Sequence, residues 1–490
     1  MCYSLGIDVG SSSVKVSLLD IESGKCVASS TNPSSEMPIK AVSPGWAEQS
    51  PQMWWEYICK GVAAIGRDRM ADVKCIGITY QMHGLVVADE SGKCLRDSII
   101  WCDSRAVGIG AEAAGRLGRE FCLGSLLNSP GNFTASKMSW VKENEPEIFA
   151  KASRFFLPGD YVAYRLSGQI STTETGLSEQ ILWNFHEGRL AGEVLDCYGI
   201  PHGMVPETVP AIGIQAYTDK ETENLLGIRE GTPISYRAGD QPNNAFSLNV
   251  LNPGEIAATA GTSGVVYGVT DKPEADGQSR VNTFLHVNST AQSPRYGVLL
   301  CINGTGIMNA WVKRNFASTL DYDAMNCLAA SVPPGSCGVT AVPFGNGAER
   351  VLENTYPGAQ ILGLDLNRHS LAHVLRAVQE GIACSFRYGI DIMSGLGLHP
   401  SVIRAGKANL FLSDVFAESL ATLTGATIEL YNTDGSLGAA RGAALGAGYY
   451  RSREDTFASL SVLKTVEPQG GAVEALDEAY GKWKKIIDNQ

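Results

Sequence analysis

The chain lacks closely paired cysteines: its 12 cysteines are scattered over 490 residues, with no C-x-x-C pair. This spacing disfavours structural zinc sites and redox motifs, and scattered thiols in a long chain are typical of a reducing compartment. We therefore expect reduced thiols that are buried as small hydrophobic side chains. No segment approaches the ~20 consecutive apolar residues that span a bilayer, and the first residues show no secretory leader pattern. These absences together predict a cytoplasmic protein with no membrane partner.

The chain also has no excess of basic charge. It carries 39 Lys and Arg against 51 Asp and Glu, which gives a formal net charge of −12. A net-acidic surface disfavours nucleic acid and anionic membranes as partners. ATP stays possible, because backbone N–H groups, helix N-termini and Mg²⁺ can hold its phosphates locally. The length predicts two or more domains, and 44% hydrophobic residues with 54 glycines are typical of an α/β protein.

Two short turns of small residues are the most informative feature of the chain. They are the Asp-Val-Gly-Ser-Ser-Ser sequence of residues 8–13 and the Ala-Gly-Thr-Ser-Gly sequence of residues 260–264, about half a chain length apart. Each turn stands between two strand-like runs, so its backbone N–H groups are left uncovered and can bind phosphate oxygens. One such turn in each half predicts a duplicated chain that closes on a nucleoside triphosphate. A phosphoryl-transfer enzyme is the class that this pattern favours.

Strands and helices alternate in both halves of the chain, which is the pattern of α/β domains. The Asn-Pro-Gly sequence at residues 252–254 interrupts this alternation near the middle. We predict an N-terminal domain of residues 1–248 and a C-terminal domain of residues 249–490. A hinge between them would let the two domains close on a ligand.

Polar residues follow several of the predicted strands. Gln81, Met82 and His83 come after a buried-looking strand, and Asp103 and Arg105 end the next one. A lone histidine after a strand is often a satisfied core residue, and charged residues at a strand end are often merely solvated. In the same way, Asp240 follows a strand and precedes Pro242 at a helix start. A carboxylate at that place is either an N-cap or a functional group held ionised by the helix N-terminus.

Seven segments of this chain resemble, in order, those of the FGGY carbohydrate kinases within the actin/hexokinase-like ATPase superfamily. The segments begin at Asp8, Gln81, Trp101, Lys137, Gly239, Gly261 and Gly358. The Gln-Met-His-Gly segment is similar to that of the xylulokinase-like members. The resemblance implies two ribonuclease H-like ATPase domains with a cleft between them. It also implies ATP-dependent phosphorylation of a small ketose, D-xylulose at its 5-hydroxyl first of all.

Other readings of the function stay open at this point. One is a kinase for another ketose or polyol, such as L-xylulose, ribulose or glycerol. Another is a non-catalytic sensor of sugar and ATP, against which the presence of Asp240 argues. Related kinases are often dimers, so a homodimer is possible by analogy.

The resemblance assigns two carboxylates to catalysis. Asp240 would be the base that takes the proton from the attacking sugar hydroxyl, with an ordinary low pKa because phosphoryl transfer is loose. Asp8 would orient Mg²⁺, directly or through water; the alternative is that it only stabilises its own turn. The sugar would contact the five residues of the two strand ends, Gln81, Met82, His83, Asp103 and Arg105.

Nucleotide binding is assigned to the turns and to two later loops. The residues are Gly10, Ser11, Ser12, Gly261, Thr262, Ser263, Gly304, Gly406 and Asn409. The adenine segment departs from the family pattern, because a triple-glycine run is replaced by residues 403–409, in which Gly406 alone survives. Gln241 also stands where the family usually has Asn, which leaves the identity of the pentulose less certain than the fold.

Overall fold

The computed structural model describes residues 1–489, and the first half of the chain contains the following elements. Its strands are β1 (Tyr3–Val9), β2 (Val14–Asp20), β3 (Cys26–Asn32), β4 (Glu48–Gln49), β5 (Val73–Tyr80), β6 (Val86–Ala88), β7 (Ser98–Ile99), β8 (Arg154–Phe156), β9 (Thr172–Thr173), β10 (Trp183–Asn184), β11 (Arg189–Leu190), β12 (Thr208–Val209), β13 (Ile212–Tyr217) and β14 (Pro233–Gly239). Its helices are α1 (Pro51–Ile65), α2 (Arg67–Met70), α3 (Val107–Leu117), α4 (Arg119–Gly124), α5 (Thr134–Asn144), α6 (Pro146–Phe149), α7 (Pro158–Ser167), α8 (Glu174–Glu179), α9 (Gly192–Tyr198), α10 (Lys220–Leu226) and α11 (Asp240–Ser247).

The second half continues with strands and helices of similar lengths. Its strands are β15 (Ile256–Ala260), β16 (Gly264–Thr270), β17 (Asn282–Leu285), β18 (Tyr296–Ile302), β19 (Thr340–Phe344), β20 (Gly358–Leu362), β21 (Val402–Gly406), β22 (Thr427–Tyr431) and β23 (Val462–Val466). Its helices are α12 (Thr305–Phe316), α13 (Tyr322–Ala330), α14 (Leu371–Ser394), α15 (Asp414–Thr424), α16 (Gly435–Gly446), α17 (Arg453–Phe457) and α18 (Val473–Asp488). Short 3₁₀ turns lie at His202–Met204, Ser336–Gly338, Glu349–Leu352, Asn409–Leu412 and Gly470–Ala472.

The first sheet has six strands in the order β13-β14-β5-β1-β2-β3. Strands β14, β5 and β1 are parallel, and β2 and β3 continue the sheet antiparallel. In β1, Leu5, Ile7 and Val9 are fully buried in the core shared with α1. The alternating residues, including Asp8, face the other side of the sheet, because side chains along a strand alternate.

The second sheet has seven strands in the order β17-β18-β16-β15-β21-β22-β23. Strand β15 pairs with β16 through a tight turn and lies parallel to β21 on its other edge. Strand β1 has the same two neighbours in the first sheet, one antiparallel through a turn and one parallel. The predicted α/β fold class with two domains is therefore confirmed, while the boundary at residue 248 stays a prediction.

Helix α16 connects the two halves by packing on the first sheet. Its Ala/Gly-rich sequence allows a close approach: a Cβ on Gly6 would lie 1.8 Å from the carbonyl oxygen of Ser436. A Cβ on Gly77 would lie 2.0 Å from the carbonyl oxygen of Ala439. Ser4 Oγ donates a hydrogen bond of 2.7 Å to the carbonyl of Ala440. These contacts fix α16, from the second half of the chain, against the first sheet, whose strand β1 contains Asp8.

Two expectations about local structure can be compared with the observed fold. The hairpin that the sequence predicts over residues 85–101 is formed, with bridges between Leu85 and Ile99 and between Ala88 and Cys94, and its strands also pair with distant ones, β6 with β8 and β7 with β4. All 12 thiols are free, as predicted, but only Cys75, Cys122 and Cys384 are buried. The expectation of mostly buried cysteines is therefore wrong, because many cysteines lie on edges and loops. Among residues 1–489, no helix is both long and apolar enough to cross a membrane.

Candidate active site

Asp240 lies between the two halves of the chain. It is the first residue of α11, a helix that packs against α16, β14 and β15. The N-cap position belongs to Gly239, so the reading of Asp240 as an N-cap is wrong. Its charge acts on Asp8 from the first sheet and on Cys301 from the second. The carboxyl group therefore stands where the two sheets meet.

Burial raises the pKa of the Asp240 carboxyl to about 6. Hydrogen bonds from the Gln241 backbone and side chain oppose this shift but do not cancel it. The expected ordinary low pKa is thus wrong, because loss of hydration outweighs the N–H groups at the helix start. A pKa of about 6 makes Asp240 a better proton acceptor near neutral pH than an exposed aspartate.

Asp8 lies within β1, opposite Lys15 in β2 and beside Thr79 in β5. A backbone hydrogen bond of 3.0 Å from the Gly10 N–H to the Ser13 carbonyl closes the turn that follows. Within residues 1–489, no N–H or O–H group of this turn donates a hydrogen bond to the Asp8 carboxylate, so turn stabilisation does not account for Asp8. The carboxyl group faces the start of α16 instead.

Burial raises the pKa of Asp8 to about 7, and the negative charges of Asp240 and Asp434 add to the shift while Lys15 opposes it. Lys15 is itself paired with Asp434 at 2.7 Å. The carboxyl groups of Asp8 and Asp240 thus meet at a place where a divalent cation would relieve the repulsion that adds to the pKa shift of Asp8. Their hard oxygen donors fit Mg²⁺, which needs few carboxylates when phosphate and water complete its shell. Among residues 1–489, no group of three or more His, Cys, Asp or Glu could hold a metal alone.

Met82 and His83 follow β5 and lie beside the end of β14. A Cβ on Gly239 would come 2.6 Å from Met82 Cγ, which places the methionine directly next to the residue before Asp240. The His83 ring packs against Phe133 and Phe284, with centroid distances of 4.7 and 5.4 Å. Phe284 comes from the second half, so this histidine also lies at the junction.

His83 is a neutral imidazole in this environment. Burial lowers its pKa to about 3, and the nearby Lys137 charge adds to that shift. Its Nδ1 lies 2.9 Å from the carbonyl oxygen of Glu179, a partner that requires Nδ1 to carry the proton. Nε2 is then a hydrogen-bond acceptor. A ring fixed in this way can orient a hydroxyl group of a ligand.

Several acceptor atoms near Asp240 have no hydrogen-bond partner within residues 1–489. Gln81 donates through Nε2 to Gln49 Oε1 at 3.0 Å, while its own Oε1 stays buried and unpartnered. The same holds for Glu179 Oε1 and Gln241 Oε1. Buried acceptors without partners are costly, so a ligand rich in hydroxyl groups would complete their bonding.

Asp103 and Arg105 do not line the cleft, contrary to expectation. Both side chains are wholly inaccessible and paired with each other at 2.7 Å. Arg105 also pairs with Glu48 at 2.7 Å and stacks on Trp46 at 3.9 Å, and the Ala47 N–H donates to Asp103 Oδ2 at 2.6 Å. Their hydrogen-bonding capacity is used inside the fold, so they hold neighbouring loops together and do not contact a sugar.

A cavity of about 580 Å³ opens beside the second turn. Of the predicted nucleotide residues, Gly261, Thr262 and Asn409 line it. The cavity has further walls that the sequence did not assign to nucleotide binding, among them Ile307, Arg314, Tyr322, Asn326 and Leu412. Because these residues come from α12, α13 and the 409–412 turn, short motifs do not reveal them.

The other predicted nucleotide residues of the second half have different surroundings. Gly304 has φ +92°, and a Cβ there would lie 2.0 Å from the Pro343 carbonyl oxygen, so close backbone packing requires this glycine. Gly406 ends β21, with the Thr433 carbonyl 3.7 Å from where its Cβ would stand. Ser263 completes the turn after Thr262 but does not line the cavity. Direct contact of these three with nucleotide stays a prediction.

The first turn is braced by the loops around it. Gln49 Nε2 donates to the Ser11 carbonyl at 2.7 Å, and Trp101 Nε1 donates to Ser11 Oγ at 3.3 Å. The Met37 N–H donates to the Ser12 carbonyl at 2.8 Å. Ser12 itself is exposed. Together with Gly10, these serines form a rigid turn whose phosphate contacts stay a prediction.

Two α/β domains that bring half-buried acidic side chains together where their sheets meet, with a cavity of about 580 Å³ beside the turn of the second sheet, have the architecture of a sugar kinase. Comparison with family models supports this class directly. The N-terminal domain model of the FGGY family of carbohydrate kinases matches residues 3–247, and the C-terminal domain model matches residues 256–450. The chain belongs to the FGGY family of carbohydrate kinases, and the resemblance read from its motifs is confirmed. ATP is accordingly its phosphoryl donor and a small sugar its acceptor.

Individual relatives agree on the fold. Xylulose kinase of Bacillus subtilis is 28% identical over 93% of this chain and 90% of its own length. The ligand-bound xylulose kinase of Lactobacillus acidophilus superposes with a TM-score of 0.91 at 21% identity, covering 100% of this chain and 98% of the other. The gluconate kinase of the same organism gives a TM-score of 0.89 at 21% identity, covering 99% and 98%. One fold thus serves kinases named for different sugars.

Proposed function

We propose that this enzyme transfers the γ-phosphoryl group of ATP to a ketopentose, D-xylulose at its 5-hydroxyl, with Asp240 as the general base. The observation that carries the proposal is Asp240, half-buried at the junction of the two sheets with a pKa raised to about 6. Met82 lies beside Gly239, the residue before Asp240, His83 lies at the same junction, and the charge of Asp240 acts on Asp8. The xylulose kinases among the relatives favour D-xylulose over other sugars.

The residues divide the reaction between them. Met82, His83 and the unpartnered oxygens of Gln81 and Gln241 orient the sugar hydroxyl groups. Asp240 accepts the proton of the attacking hydroxyl as its oxygen bonds to the γ-phosphorus, while the bond to the ADP oxygen breaks. Closure of the two domains around the bound substrates, before this step, excludes water that would otherwise hydrolyse ATP.

Asp8 is the residue we assign to Mg²⁺, directly or through water. Burial is the largest cause of the raised pKa of its carboxyl group, and the charges of Asp240 and Asp434 add a repulsion that a cation would relieve. When bound, Mg²⁺ neutralises charge on the transferring phosphates. The adenine end of ATP would occupy the cavity near Tyr322 and Asn409.

A substrate panel tests the sugar. Purified protein with ATP and Mg²⁺ is given D-xylulose, L-xylulose, D-ribulose, glycerol or gluconate, and ADP formation is coupled to NADH oxidation. The proposal expects the highest kcat/KM for D-xylulose. A higher kcat/KM for another member of the panel would change the assigned sugar and leave the assigned reaction, phosphoryl transfer from ATP, intact. An absence of sugar-dependent ADP release would refute the proposed function. The homodimer stays a prediction, which sedimentation of the same sample would test.

A further inference from the structure

Glu179 is a buried carboxyl group beside the site that the proposed mechanism does not use. It ends α8, and 2% of its surface is exposed. Its Oε1 has no hydrogen-bond partner within residues 1–489. Burying such a group costs free energy unless something bonds to it. A ligand that fills the site is therefore the natural candidate for a partner.

The position of Glu179 relative to Asp240 is well defined. A Cβ on Gly239, the residue before Asp240, would lie 2.7 Å from Glu179 Oε2 and 2.6 Å from Met82 Cγ. The main-chain carbonyl of Glu179 meanwhile accepts the hydrogen bond from His83 Nδ1. The main chain of Glu179 thus contacts His83, and its carboxyl group lies close to Met82 and to the residue before Asp240.

The surroundings of the Glu179 carboxyl group favour its protonated form. Burial raises its pKa well above the ordinary value, and the charges of Asp160 and Asp240 raise it further. The Tyr80 hydroxyl and the His83 N–H oppose this shift. Asp160 is committed elsewhere, to an ion pair with Arg237 at 3.3 Å. No cation lies within ion-pair distance of Glu179 in residues 1–489, so the protonated acid can both donate and accept a hydrogen bond.

We propose that Glu179 is a specificity-determining residue, whose carboxyl group exchanges a hydrogen bond with one hydroxyl group of the acceptor sugar. The proposal rests on the proposed function, since it names a further contact in the same site. A sugar lacking that hydroxyl would leave Glu179 unpartnered and would be rejected on this account. An acidic sugar would place a negative charge next to Asp240, so the site favours neutral acceptors.

The test compares KM values of variants across sugar analogues. We would prepare Glu179→Ala, Glu179→Gln and, as a matched control on the same helix, Glu174→Gln, whose parent residue is exposed. The sugars are D-xylulose and its 1-deoxy, 3-deoxy and 4-deoxy analogues. Glu179→Ala should raise the KM for D-xylulose about tenfold or more, with a much smaller change in kcat. For the deoxy analogue that lacks the hydroxyl group bonded by Glu179, the wild type should already show a raised KM. Glu179→Ala should change the KM for that analogue by less than about threefold.

The amide of Glu179→Gln also donates and accepts, so its KM for D-xylulose should stay within about fivefold of the wild type. Equal losses for every analogue in Glu179→Ala would show a purely structural role and overturn the proposal, as would a wild-type KM for all of them. If Glu179→Ala does not fold, Glu179→Asp, which withdraws the acid by one methylene, serves for the same comparison.

Calorimetric binding of D-xylulose without ATP separates this inference from the proposed function. Weaker binding by Glu179→Ala than by Glu174→Gln supports the contact even if the preferred acceptor proves to be another sugar. Equal binding by both variants and the wild type overturns it. Failure of the wild type to phosphorylate any member of the panel would refute the function, whatever the variants bind.

Discussion

The carboxyl group of Asp8 lies against the backbone of Gly435, at the start of α16: a Cβ on Gly435 would stand 2.2 Å from Asp8 Oδ2. The two residues are more than 400 positions apart in the chain and belong to different family-model domains. Asn243 Nδ2 also donates to the Gly435 carbonyl at 2.9 Å, which ties the same point to the helix of Asp240. Gly435 is therefore the point where Asp8 of the first sheet and the helix of Asp240 both contact the start of α16.

Replacing Gly435 with alanine should damage catalysis more than folding. The new methyl group would displace the Asp8 carboxyl, and misplacement of a reacting group by about 1 Å can cost ~10²-fold in rate. We expect kcat to fall about 10- to 100-fold, with the KM for sugar nearly unchanged. Gly481→Ala is the matched control, because that helical glycine has open space where the methyl group would stand. Equal kcat values for the two variants would contradict the proposed importance of this contact.

The pH dependence of activity should report Asp240. The base must be ionised to accept a proton, and burial raises its pKa to about 6. We therefore expect kcat/KM for the sugar to fall about tenfold per pH unit below pH 6 and to level off above it. Steady-state rates from pH 4.5 to 8.5 at saturating ATP would show this. A rate that stays constant down to pH 4.5 would mean that no group with this pKa is needed.

Asp8 should cost the protein stability at neutral pH. Its pKa is raised from 3.8 to about 7, so the folded state holds a proton that the unfolded state releases. The free energy of unfolding therefore falls, through Asp8, as the pH rises from about 4 to 7. The full destabilising effect of the ionised carboxylate applies above pH 7. Asp8→Asn should raise the apparent Tm by a few degrees at pH 8 and by much less at pH 4.5, while activity is lost. A gain that is the same at both pH values would point to another cause.

The cavity beside the second turn can be tested through Gly306. Its N–H donates to the Gly261 carbonyl at 2.9 Å, and a Cβ there would lie 2.4 Å from that oxygen. Gly306→Ala should push the turn outward and raise the KM for ATP about tenfold, with the KM for sugar unchanged. Gly115→Ala, on a helix face with open space, is the control. A raised KM for sugar with an unchanged KM for ATP would reverse the assignment of the two halves.

Local features of the fold were predictable from the sequence because they depend on neighbouring residues. The alternation around each small-residue turn predicted the β1–β2 and β15–β16 pairs, which the structure shows. The strand before Asp240 and the helix after it also follow from short-range pattern. In contrast, the packing of α16 on the first sheet depends on surfaces hundreds of residues apart, and a glycine-rich helix gives little sign of its partner.

The sequence predicted which residues lie at the site better than it predicted their pKa values and bonding partners. The motifs placed Asp8, Met82, His83 and Asp240 near each other, as observed. They did not reveal that Glu48, far from Arg105 in sequence, would complete an internal ion pair and remove it from the cleft. The pKa of Asp240 differs from the expectation for a related reason: burial raises it, and no short stretch of sequence shows how far a side chain will be buried. The walls of the cavity come from four separate segments and leave no single motif.

The most direct test of the account is the turnover of Asp240→Asn measured together with its affinity for ATP. The amide keeps the shape of the side chain but cannot accept the proton of the sugar hydroxyl. The account predicts a kcat at least ~100-fold below that of the wild type, with a Kd for ATP within about threefold and an unchanged far-UV circular dichroism spectrum. Wild-type turnover by this variant in folded form would contradict the assignment of Asp240 as the base.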